Sequence, residues 1–201
     1  MNGAARLNCR LRPARAWGVL SVSRYALTFV RRAGLPALTL VWLACAAPVA
    51  AASLSGRDVQ IIAKALGFLD PAPPGGIVAV IYATRNVASK ADATAIVALF
   101  GDGLASGGGI VTAKAIDAGS LGDGTGYVAI ILAAGGENAG PAGLTPRRLL
   151  SITAADELVR AGRCVMAVHS EPRVDITVNR AAAQAAGIGF TAAFGMLVHE
   201  I

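Results

Sequence analysis

Cysteine is nearly absent from this chain: there are three among 201 residues, and Cys9 and Cys45 both precede residue 53. Cys164 stands alone after that point, which excludes a disulfide framework within a single chain. Histidine is as scarce. His169 and His199 lie at spacings unrelated to Cys164, which argues against a Cys/His zinc centre. Acidic residues are missing from the first 52 positions, although 7 of the 18 basic residues lie there. The remaining 11 basic residues face 12 acidic ones, a formal charge of −1, so the overall +6 comes from the N-terminal stretch alone. With aromatics at 5% and no basic stripe among them, nucleic-acid binding is excluded as a function class.

Phosphate-binding signatures are also missing. A Gly-rich loop that cradles phosphate must follow a strand and open a helix, so that free N–H groups face the anion. The glycines at 107–109 and 122–126 precede predicted strands instead, and no Gly-Lys-Ser/Thr occurs. They read as turns. We expect no cofactor and no metal.

What is present begins with a leader. After Arg31-Arg32, the apolar run 35–47 is shorter than the ~18 residues of a spanning helix and ends in small residues up to Ala52. A basic n-region, an apolar core and small residues before the cut make 1–52 a signal peptide and 53–201 the mature chain. The n-region is long, and a start codon placed too far upstream accounts for this as well as a real extension does. Leu43-Ala44-Cys45 resembles a lipoprotein signal, but Trp42 replaces the expected Leu, so anchoring at Cys45 is the lesser reading. Arg31-Arg32 also suggests twin-arginine export, in a poor flanking context.

The mature chain is long enough for one core. Apolar spacing predicts a helix over 57–68, and the β-branched run 77–82 predicts a strand buried on both faces. A helix is expected over 90–104, ended by Gly107-Gly108-Gly109, then strands at 110–116, 127–132 and 149–153. Thr145 and Pro146 suit the cap and first position of a helical turn. A short helix should open at Asp156-Glu157. A hairpin should follow, with strands near 164–168 and 174–178 around Glu171-Pro172-Arg173. Asn179 is placed to cap the next helix and Gly187 to close it in the left-handed conformation. A last helix over 192–198, capped by Thr191, would pack Phe194, Leu197 and Val198 on the sheet. Alternating strands and helices imply a single α/β domain: a mostly parallel sheet flanked by helices, with the antiparallel hairpin at its edge.

No catalytic constellation emerges. His169 adjoins Ser170 and Glu171, but consecutive strand residues face opposite ways, so they do not form a triad. Asp156 and Glu157 suit the positive end of a helix dipole. Cys164 reads as a small buried hydrophobe. In parallel sheets, ligands and partners meet the loops at the carboxyl ends of the strands. Here those loops are 83–89, 133–138 and 154–157, supplying Thr84, Arg85, Asn86, Glu137, Asn138, Asp156 and Glu157. This polar set lacks a nucleophile and suits binding better than catalysis.

The last third of the chain carries a family resemblance. Leu149-Leu150-Ser151-Ile152-Thr153, Gly162-Arg163-Cys164-Val165-Met166, Val174-Asp175-Ile176-Thr177-Val178-Asn179 and Ala186-Gly187-Ile188 follow one another as in the YfiR-like periplasmic proteins. The chain resembles that family clearly after Leu149 and weakly from Arg57 to there. It lacks the family's usual disulfide cysteines, and Tyr127-Val128-Ala129 stands where a Cys-His opening is common. The resemblance implies a non-enzymatic periplasmic regulator that binds an inner-membrane diguanylate cyclase until an outer-membrane lipoprotein draws it away. It thereby implies control of cyclic-di-GMP and biofilm. The second reading is a periplasmic small-ligand-binding accessory of a transporter or sensor kinase. A homodimer is compatible with either.

Export is directly testable. N-terminal sequencing of the protein from a periplasmic extract should begin near Ser53 or Ala52, whereas a full-length chain retained in the cytoplasm would contradict the leader assignment.

Overall fold

Ser55 opens the first helix through a reciprocal cap. Its hydroxyl accepts from the Asp58 N–H at 3.2 Å, while the Asp58 carboxylate accepts from the Ser55 N–H at 2.7 Å. Burial works to raise the Asp58 pKa, but hydrogen bonds from Ser55 and Ser170 outweigh it and hold the carboxyl below its usual value. Helix α1 (Gly56–Leu66) buries Val59, Ile62 and Leu66, one apolar stripe at helical spacing. A computed structural model describes residues 53–137 and 149–201. Residues 1–52, expected as a leader, Asn138 and the helical turn expected at Thr145-Pro146 lie outside the described residues.

The chain then runs through β1 (Leu69–Asp70), β2 (Gly76–Tyr82), α2 (Val87–Phe100), β3 (Leu104–Ser106), β4 (Gly109–Asp117) and β5 (Tyr127–Leu132). It continues with β6 (Leu150–Thr153), α3 (Asp156–Arg160), β7 (Met166–His169), β8 (Asp175–Val178), α4 (Arg180–Ala186), β9 (Gly189–Phe190), α5 (Ala192–Gly195) and β10 (His199–Glu200). One eight-stranded sheet has the order β10-β8-β7-β6-β5-β2-β4-β3, and β1 pairs with β9 in a separate two-stranded sheet. The β4-β2-β5-β6-β7 segment is wholly parallel. Counted in chain order, its strands run 2-1-3-4-5, so the topology reverses between β2 and β5. The expected hairpin, β7 with β8, stands at one side of the sheet, and β10 runs parallel beside β8.

Strand β2 shows why a continuous apolar run is needed here. Val78 and Val80 enter a core shared with α1, α2 and α4, while Ala79 and Ile81 enter a second core with Leu158, Val159 and Cys164. Each fully buried aliphatic side chain contributes roughly 1.5–3 kcal/mol, so the central strands pin the sheet from both faces. Cys164 is a buried free thiol, and burial pushes its pKa up to about 12, so it stays protonated at neutral pH. Asn179 caps α4 by accepting from the Ala182 N–H at 2.8 Å, and it donates to the Val159 carbonyl at 2.8 Å, tying α4 to the end of α3. Gly187 closes α4 at φ 68.

Three expectations are corrected. The second helix covers 87–100 rather than 90–104, because Asn86 caps it and the chain turns at Gly101, leaving Leu104 to start β3. The glycines at 107–109 do not end that helix. They form the β3–β4 hairpin, where a Cβ on Gly108 or Gly109 would run into the carbonyl oxygens of Pro73 and Pro74. The last helix stops at Gly195, so Phe194 is buried while Leu197 stays 67% exposed instead of packing on the sheet. The Thr191 side chain makes no cap hydrogen bond; its carbonyl accepts from the Phe194 N–H at 3.0 Å instead.

Candidate functional site

The carboxyl ends of β4, β2, β5, β6 and β7 share one end of the sheet, which brings their loops side by side. At the reversal point the loop after β2 is shorter than expected, since residues 87–89 already form the first turn of α2. Asn86 joins two elements. Its side-chain oxygen accepts from the Ser89 N–H at 3.1 Å, and its amide donates to the Gly135 carbonyl, beyond β5, at 3.3 Å. Ser89, fully buried, accepts from the Ala83 N–H at 3.2 Å. Thr84 donates to Asp117 at the end of β4 at 2.7 Å. That bond, with the Gly119 N–H, holds the Asp117 carboxyl below its usual pKa.

The first residues after β5, Ala134 to Glu137, are held from both sides. Gly135 N–H donates to Glu137 at 2.9 Å, Ala134 N–H donates to Asp92 on α2 at 2.7 Å, and Ser53 donates to the other Asp92 oxygen. Arg163 donates to the Glu137 carbonyl. Asn86 and Glu137 therefore belong to one connected group, while Thr84 ties the same turn to β4 through Asp117. Asp156 and Glu157 form a second group at the end of β6, where the buried Thr153 hydroxyl accepts from the Ala155 N–H at 3.0 Å. Asp156 meets His169 of β7 at 3.2 Å, both side chains part-exposed, and Glu157 is exposed.

Arg85 is exposed and sits at φ 64, a left-handed backbone that costs a residue with a Cβ about 1–2 kcal/mol. Next to it, Val87 is 83% exposed at the first position of α2. The turn thus presents a cation and an aliphatic side chain on a frame fixed by Thr84 and Asn86.

Asp92, Asp117 and His169 were not among the residues the sequence offered for this surface. Asp117 directly follows the run 110–116, which is a usable signal; the helical position of Asp92 and the Asp156 contact of His169 leave no local trace. The His169–Asp156 pair orients an imidazole but meets no hydroxyl nucleophile from its neighbour, because Ser170 is buried and approaches Ser55 at 3.2 Å. Among the described residues, no three His, Cys, Asp or Glu side chains converge to hold a metal.

A cleft of about 440 Å³ lies at the opposite end of the sheet, where β5 begins. Leu69, Asp70, Pro71, Tyr127, Val128 and Ile188 line it. This cleft and the polar loop surface are therefore separate places. The chain matches no protein-family profile and no characterised protein sequence.

The strain at Arg85 is measurable. Arg85→Gly should raise unfolding free energy in urea by about 0.5–1 kcal/mol, relief of left-handed strain exceeding the added entropy of the unfolded chain. A loss of stability would mean that the arginine side chain itself holds the turn.

Proposed function

We propose that this protein is an exported, non-enzymatic regulator of the YfiR-like kind. It restrains an inner-membrane diguanylate cyclase by protein contact in the periplasm and releases it when an outer-membrane lipoprotein competes for it. The observation that carries the reading is the exposed Arg85–Val87 turn, fixed at the reversal point by Asn86, with Glu137 in the adjoining β5 loop and Asp156 and Glu157 farther along at the end of β6. An arginine beside an exposed aliphatic residue on a rigid turn suits a contact anchor, since anchors combine desolvated apolar area with directed charge. The acidic residues along the same end of the sheet extend the surface as a polar rim. The resemblance of the last third of the chain supports the regulator class and its cyclase partner.

Regulation through this surface has a cellular readout. Arg85→Ala and Asp156→Ala should each change stability by less than ~0.5–1 kcal/mol, because both side chains are at least part-exposed. Both should raise cyclic-di-GMP and biofilm, as deletion of the gene should, because a released cyclase is an active one. Unchanged cyclic-di-GMP in both variants and in the deletion strain would contradict the proposal.

A further inference from the structure

The cleft at the amino end of β5 is chemically unlike the loop surface. Its volume of about 440 Å³ falls within the ~300–1,000 Å³ range of small-molecule sites. Leu69, Pro71, Val128 and Ile188 give it apolar walls, Tyr127 borders it with its ring packed against the second core, and among the described residues Asp70 is the one charged residue in its lining. The opposite walls are held in place by pairing rather than by loop packing alone. Leu69 and Asp70 pair with Phe190 and Gly189, and the Thr191 N–H donates to the Phe68 carbonyl at 2.9 Å. Behind this pairing, the rings of Phe68, Phe194 and Phe190 stack at centroid separations of 5.4 and 4.9 Å. Two segments distant in sequence are thus locked into one site.

We propose that this cleft binds a small organic ammonium compound, with an apolar, ring-sized body against Leu69, Val128 and Ile188 and its cation toward Asp70. An anion would meet a carboxylate and, among the described lining residues, no balancing cation. A purely apolar guest would leave that carboxylate beside hydrocarbon. Asp70 is exposed, so water screens it: the body supplies most of the affinity and the charge supplies selectivity. This site is independent of the cyclase reading, and either can fail without the other.

The test uses phenethylamine, phenylacetate and methylamine as probes, followed by methyl and amide NMR on the purified protein. Phenethylamine should shift Leu69, Val128 and Ile188 signals with a dissociation constant on the order of a millimolar. Phenylacetate should bind about tenfold more weakly, a gap that narrows with added salt. Methylamine, which has the charge without the body, should leave those signals in place. Asp70→Asn should remove the preference for phenethylamine while leaving the thermal midpoint unchanged. Equal or tighter binding of phenylacetate, a preference that survives Asp70→Asn, shifts confined to other surfaces, or no response to phenethylamine would each overturn the assignment.

Discussion

The side chain of Asn86 is the constraint on which the carboxyl end of the sheet depends. One amide group caps α2 through Ser89 and reaches across the reversal point to the Gly135 carbonyl. Helix caps of this type contribute about 1 kcal/mol, and an unpaired buried polar group costs about 1–3 kcal/mol, so losing both contacts would be felt well beyond the turn. Asp92, six residues further along, adds a second tie from α2 by holding the Ala134 N–H. Helix α2 and its cap therefore hold the start of the loop after β5, at Ala134 and Gly135, as well as the turn from which the helix starts. Ordering costs that flexible loops would incur on binding are largely met in the folded protein, which favours partner recognition without rearrangement.

The two ends of the sheet have different chemistry because different residues remain once the core is satisfied. At the carboxyl end Asn86, Ser89, Asp117 and Thr153 lie at or just after the strand ends, and their short polar side chains bond neighbouring backbone. At the amino end, Pro71 and Pro73 lack N–H donors and cannot knit a loop together in that way. The result is an open cleft supported by the β1–β9 pairing. A contact surface at one end and a small-molecule site at the other would let one compact domain receive two inputs.

Much of the sheet was legible in the sequence. The runs at 77–82 and 127–132 are apolar throughout because β2 and β5 are covered on both faces, and such runs carry their own boundaries. Asn179 and Gly187 were legible for a local reason, since a cap acts within four residues of its own position. The pairing of β1 with β9 was not legible, because two-residue strands have no period and join segments far apart in the chain. Leu104 and Leu197 misled for a shared reason: an apolar residue at helical spacing was assigned to a helix that had already ended. The loops at the strand ends followed from topology, so Thr84, Asn86 and Glu137 were found together. Their bonding partners Asp92 and Asp117 came only with the tertiary contacts.

The central claim is that the carboxyl-end platform is the contact surface for a periplasmic signalling partner. Amide hydrogen exchange of the protein, alone and with the periplasmic domain of a membrane diguanylate cyclase from the same organism, tests it most directly. The account predicts slowed exchange at 83–86, 133–137 and 154–157, with the amino-end cleft unchanged. Protection confined to the cleft, or none at any partner concentration, would contradict it.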